Sequence, residues 1–287
     1  MADLTLGSDA VGLEVGPLTH AIDARWLMAY AAGLGETAPG YYDTRAAGGP
    51  AAHPVFPVCY EWPLALRIHA RIASETVQQR SVHAAHDLTI HRPPRAGDTL
   101  VTRARVVSLA QRPPGAFLVV RYETVDADGR PVTTTDYGSI YRGVAVKGPD
   151  REERPWTADG QPPAEPAAVA TVAVPATLAH VYTECARIWN PIHTDIAMAE
   201  RAGLPDIILH GTATLALAVS RVLAALGAGP EQVRRVTGRF TGMVRMPSAL
   251  TVRALPGRGD AGPTWFDALG ADGRPVLSRG TLTLHAR

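Results

Sequence analysis

Cysteine is nearly absent. The 287 residues hold only Cys59 and Cys185, far apart, with no CxxC pair and no Cys/His cluster at metal-ligand spacing. This excludes a disulfide scaffold and the usual zinc modules, and both thiols read as reduced and structural. An excess of one charge is lacking too: 28 Lys and Arg stand against 27 Asp and Glu, a net charge of +1. No overall field draws such a chain to nucleic acid or to a membrane surface. No apolar run approaches the ~20 residues that span a bilayer. The start, MADLTLGSDAVGLEVG, has neither the basic opening nor the continuous apolar core of a signal peptide. A cytoplasmic location is expected. His83, His86 and His91 alternate irregularly while His53 and His69 stand alone, so no metal or other cofactor is expected.

What is there begins with 46% hydrophobic and 19% charged residues, enough for one large core or two medium ones. The hexapeptide ADGRPV occurs twice, at 127–132 and 271–276, nearly half the chain apart. Each copy lies between alternating, β-branched runs, so Asp128–Gly129 and Asp272–Gly273 mark two hairpin turns. Upstream, DLTIHRPPRAGDTLVTRARVV (87–107) and RFTGMVRMPSALTVRAL (239–255) both read as strand, Pro-containing turn, strand. WLMAYAAGLG and EWPLALRIHARI precede the first set, VPATLAHVYTECARI and TATLALAVSRVLAAL the second, all with helical spacing. Each half is therefore helix, loop, helix and about four strands. The expected organisation is a repeat over 1–146, a charged and Pro/Ala-rich linker over 147–168, and a second repeat over 169–287. The fold class is α+β, with two antiparallel sheets side by side.

Chemistry concentrates in YTECARIWNPIHTDIAMAERAGLPDIILHGTATLALA (182–218). Pro191 ends any helix arriving through Arg187 and Ile188 and puts Asn190 and His193 on a turn. Leu209, His210 and Gly211 lead into a long helix, whose free first-turn amides attract negative charge.

NPIHTD (190–195) together with LHG (209–211) resembles the hydratase motif of MaoC-like proteins and (R)-specific enoyl-CoA hydratases, and DLTIHRPPRAGDTL is similar to the long-strand segment of their two-repeat members. The resemblance implies a double hotdog fold and syn addition or removal of water on an acyl thioester carried by CoA or an acyl carrier protein. It also implies a homodimer. It makes His193 the catalytic histidine, Asn190 the orienting amide and the Gly211 amide the contact to the thioester carbonyl, with His210, Ile188 and Trp189 beside the substrate. The family's aspartate stands five residues before the histidine, where this chain has Ile188. Isoleucine neither activates water nor delivers a proton. Glu184, one helical turn before Ile188, is the candidate replacement, and Asp195 a second group able to orient the ring. In the first repeat GLGETAPGYYDT (33–44) matches the motif, with Glu36 at the place of Ile188 and Tyr41 at that of His193, which reads as a degenerate site. Arg92, Arg95, Arg234, Arg235, Arg239 and Arg245 are candidates for a pantetheine phosphate or an acidic carrier, or else solvated surface.

Three functions fit: a hydratase/dehydratase-type lyase; a cyclase or isomerase of specialised metabolism, such as polyketide tailoring, using the same pocket; and a non-catalytic binding subunit.

Overall fold

In a computed structural model, residues 4–157, 160–257 and 262–285 are described. The first half runs β1 (Thr5–Gly7), β2 (Glu14–Ala21), α1 (Ala24–Gly33), α2 (Val58–Ile72), α3 (Glu75–Gln78), β3 (Ser81–Ile90), β4 (Thr99–Arg112), β5 (Gly115–Val125), β6 (Pro131–Arg142) and β7 (Ala145–Lys147). After β8 (Arg151–Glu152), the second half runs β9 (Ala167–Val174), α4 (Leu178–Ala186), α5 (Ile196–Arg201), α6 (Gly211–Leu226), β10 (Val233–Phe240), β11 (Ser248–Leu255), β12 (Thr264–Leu269) and β13 (Pro275–Leu284).

The long strands form one path, β2-β4-β5-β6-β3-β10-β13-β12-β11-β9. Reversed from its middle, the order of the first half is reproduced by the second, so β2 matches β9, β3 matches β10, and β4 to β6 match β11 to β13. The halves meet where β3 and β10 pair antiparallel, from Arg235 opposite Thr89 to Arg239 opposite Ala85. The two sheets expected side by side are thus joined edge to edge within the chain. The Arg235 guanidinium clasps both oxygens of Asp87 across this seam, at 2.7 and 2.6 Å.

In each half the first long helix is preceded by a strand that the sequence reading omitted, β2 and β9. The second falls partly within the expected linker, which is not a free tether. Its β8 pairs with β4, and Trp156 packs edge-on against Phe117, 6.1 Å between ring centres. There it covers the outer apolar face formed with Val107 and Val119.

The ADGRPV segments are turns between β5 and β6 and between β12 and β13. In the first, the Asp126 carboxylate accepts from the amides of Asp128 and Arg130. Gly129 and Gly273 take positive φ, 79° and 75°, where a side chain is strained. The principal helices lie over the sheet, and α6 is buried along most of its length, from Thr212 to Val222 and Leu223. It ends where Gly227 turns left-handed and returns its amide to Ala224 and Leu223 carbonyls. Both halves also seat an aromatic ring over a strand glycine: a Cβ on Gly138 would lie 2.7 Å from Phe117, and one on Gly280 2.7 Å from Phe266. Phe266 is buried within the core and has little room to yield. Gly280→Ala is therefore expected to lower stability by about 1–3 kcal/mol in urea unfolding, the usual cost of overpacking; an unchanged midpoint would show that the ring moves freely.

Candidate functional site

The motif turn is built by α4. Its last turn closes at Ala186, and Arg187 follows in the left-handed region at φ 58°, an uncommon conformation for a residue with a side chain. The Arg187 guanidinium lies over the Trp26 ring, 4.1 Å from its centre, and the Ile188 amide returns to the Thr183 carbonyl. These contacts end the helix at Ala186, four residues before Asn190, so the stop is set by Arg187 rather than by Pro191. Pro191–His193 then form one 3-10 turn, as Pro39–Tyr41 do in the first half.

His193 is held by a hydrogen bond of 2.8 Å between Nδ1 and the Ile208 carbonyl oxygen. A carbonyl only accepts, so Nδ1 carries the proton and Nε2 presents its lone pair. The His193 ring stacks on His210 at 3.7 Å and 26°, and His210 Nε2 is engaged with the Thr183 hydroxyl at 3.1 Å. Burial pushes the His193 pKa down to about 4, while the Ile208 carbonyl opposes this slightly. His210 is pushed well below its ordinary value, first by burial and then by His193. Both rings are neutral at pH 7, and His193 Nε2 is a base.

A chain crossing fixes the opposite wall. Leu209 donates its amide to the Val244 carbonyl and Ile208 bridges Arg245, which aims Leu209–Gly211 into the start of α6. The first-turn amides of this 16-residue helix have no partner within the helix. At Gly211 a Cβ would lie 3.2 Å from the Phe240 ring, so glycine keeps the backbone open at that point.

A cavity of about 530 Å³ takes in Ile188, Trp189, Asn190, His193, His210 and Gly211, within the range of small-molecule sites. Ile188 is buried and apolar. Glu184 does not belong to it: the side chain is exposed and absent from the cavity wall. The left-handed Arg187 breaks the helix between Glu184 and Ile188, so the one-turn relation that suggested it no longer holds. Asp195 is likewise exposed and caps α5 by accepting from the Met198 amide. Of the arginines, Arg92 is taken by Asp98 and Asp126 and Arg235 by Asp87.

The first half closes over its equivalent turn. Tyr41 stacks on His53 with ring centres 6.2 Å apart, His53 accepts from the Val55 amide and meets the Ser220 hydroxyl, and Arg221 of α6 reaches Glu36 at 3.4 Å. The carboxylate at the first-repeat counterpart of Ile188 is thus consumed by an ion pair.

One residue of the cavity wall escaped the sequence reading. Glu61, in the first turn of α2, is 3% exposed and lines the same cavity as His193. Thr135 donates to its Oε1 at 2.6 Å, and Oε2 is buried without a partner. A signal was present: Leu-Ala-Leu recurs at 64–66 and 215–217, and in that register Glu61 occupies the place of Thr212, next to Gly211.

Comparison with known proteins gives the family. The model of the FAS1-like dehydratase domain region matches residues 9–135, and that of the MaoC like domain matches 159–260. The chain belongs to the MaoC-like dehydratase family. It is 29% identical over 209 residues to 3-hydroxyacyl-thioester dehydratase Y of Mycobacterium tuberculosis, covering 70% of this chain and 71% of that protein. Against a probable enoyl-CoA hydratase 2 of Dictyostelium discoideum it is 25% identical over 162 residues, 56% of this chain and 55% of the relative. A fatty acid synthase beta subunit of Emericella nidulans matches at 41% over 73 residues, 25% of this chain but 4% of the synthase. Among solved structures, a MaoC-like dehydratase from Phytophthora capsici superposes with a TM-score of 0.81 at 21% identity, covering 96% of this chain and 97% of that one. This MaoC-like chain therefore has the α+β double hotdog fold, with the motif histidine in its second half. Among the described residues no helix is long and apolar enough to cross a membrane.

Proposed function

We propose that the protein adds water to, or removes it from, an acyl thioester of the enoyl/3-hydroxyacyl type carried on CoA or an acyl carrier protein. The observation that carries this reading is His193, neutral, with Nδ1 bonded to Ile208 and Nε2 free in a cavity shared with Gly211 at the start of α6. In dehydration Nε2 takes the proton from the carbon beside the thioester carbonyl, and the α6 amides hold the charge that develops on the carbonyl oxygen. Asn190 orients the substrate from the motif turn. Leu66, Trp189 and Met243, exposed hydrophobics on the cavity wall, give an apolar rim suited to an acyl or pantetheine arm. The names of the relatives support the same reaction class.

The buried apolar side chain of Ile188 supports a second reading, ring formation or isomerisation in which water is excluded from a reactive intermediate. Purified protein assayed with short 3-hydroxyacyl and enoyl thioesters on both carriers separates the two. Turnover with net gain or loss of water is expected; inertness toward all of them together with ring formation on a longer substrate would favour the second. Ile188→Asp is expected to raise hydration of a short enoyl thioester in the first case, and to damage the native reaction in the second.

A further inference from the structure

We infer that Glu61, contributed by the first repeat, is the second catalytic group, the acid that protonates the departing hydroxyl and stands in for the aspartate missing at position 188. The inference rests on the hydratase/dehydratase reading above. It starts from geometry. Glu61 is fully enclosed, lines the cavity that holds His193, and keeps Oε2 unpartnered while Thr135 fixes Oε1. The other carboxylate on the cavity wall, Glu75, is exposed. A carboxyl buried for structural reasons is usually met by a cation. Among the described residues no ion pair joins Glu61 to one. The groups that act on it or are acted on by it are Thr135, Tyr137 and Tyr122 from β5 and β6, and Cys59 and Tyr60 from its own helix. None is positively charged. A glutamine would accept the Thr135 bond without having to bind a proton above the ordinary carboxylate range, a cost in stability that a glutamate here incurs at neutral pH.

Burial raises the Glu61 pKa to about 8, with the Thr135 bond pulling the other way. At neutral pH it holds its proton while His193, near 4, does not. Two groups whose surroundings separate them in this sense are an acid and a base.

The step balances. His193 Nε2 takes the proton from the carbon beside the carbonyl, and the electrons of that C–H bond become the new double bond. The C–O bond at the next carbon breaks with its pair on oxygen, Glu61 Oε2–H supplies a proton to it, and one water leaves. Imidazolium and carboxylate remain, and the proton returns from His193 to Glu61 through water in the cavity. Hydration runs the same sequence backward.

The test compares wild type, Glu61→Gln and Thr135→Val on a 3-hydroxyacyl thioester and on its 3-chloro analogue, from which chloride departs without a proton. Glu61→Gln is expected to lower kcat on the hydroxy substrate ~10²- to 10⁴-fold with little change in KM. Chloride elimination should continue close to the wild-type rate. In wild type, kcat falls as pH rises through about 8, where Glu61 ionises; the glutamine variant lacks this limb. Thr135→Val, which removes a donor that favours the ionised form, moves the limb to higher pH. Equal losses on both substrates, or an alkaline limb unchanged in Glu61→Gln, would overturn the assignment while leaving the reaction class intact. A wild-type protein inert toward every hydroxyacyl and enoyl thioester would instead sink the reaction class, and this role with it.

Discussion

His193→Ala removes dehydration of a 3-hydroxyacyl thioester almost completely, by ~10³-fold or more, within or above the usual range for a positioned acid/base group. The expectation follows from how little else in the site can take over. His210, stacked on His193, has Nε2 committed to Thr183, and its other nitrogen is buried without a partner. Asn190 cannot accept a proton. Asparagine in place of histidine keeps a polar side chain but no basic nitrogen, so His193→Asn should lose as much. Truncation leaves the Ile208 carbonyl and the face of His210 without a neighbour, which costs about 1–3 kcal/mol of stability. The fold should survive this. Single-turnover rates with circular dichroism on the same samples check both parts, and a variant that retains a tenth of the activity would remove His193 from the chemistry.

The parts of this site that were legible in the sequence are those fixed by local chemistry. The 3-10 turn at Pro191–His193 follows from Asn-Pro spacing, and the hairpins follow from Asp-Gly between alternating runs. Both are short-range preferences that tertiary context left in place. The leading strands were not legible for the opposite reason. β9, AAVATVAV, continues a Pro/Ala-rich stretch and becomes a strand because β11 offers it an edge, with Ser248 opposite Val174 through Ala254 opposite Ala167.

The two carboxylates show the same division. Glu184 was favoured by a helical spacing that holds only while the helix continues, and it ends at Ala186 because Arg187 turns left-handed over a tryptophan from α1. That contact joins the two repeats and leaves no trace in the local sequence. Glu61 lies in EWPLALRI, where a carboxylate at the start of an amphipathic helix ordinarily faces water. Its burial is set by β5 and β6, brought over it from far along the chain, with Thr135 bonded to it from 74 residues away. A register between the two helices would have exposed the oddity, a carboxylate matched to a threonine beside Gly211.

Acid should unfold the protein well above the carboxylate range, and the buried histidines are the reason. His53, His86, His193 and His210 are all buried. Desolvation lowers His53 to about 3 and His86 and His193 to about 4, and it lowers His210 well below its ordinary value too. A folded-state pKa below the unfolded value of 6.5 means stability that is complete above pH 6.5 and lost as pH falls toward 4, because the unfolded chain binds protons that the folded one refuses. At ~1.4 kcal/mol per pKa unit, His53, His86 and His193 each contribute up to about 3 kcal/mol, and the three together on the order of 10, with His210 acting in the same direction. Total stabilities of domains are about 5–15 kcal/mol, so the effect is as large as the quantity it acts on. Glu61 opposes it. Its raised pKa makes its contribution complete below about 4.5 and lost as pH rises through about 8, so between pH 6.5 and 4.5 it regains about 3 kcal/mol. One glutamate does not offset four histidines. Urea unfolding between pH 8 and 4.5 should therefore show stability falling steeply below pH 6.5, and His86→Leu, which removes a ring with both nitrogens buried and unpartnered, should lessen the slope by one proton. A stability curve flat down to pH 4.5 would mean that these rings are hydrated or paired in solution, and His193 would then titrate near its ordinary value as well.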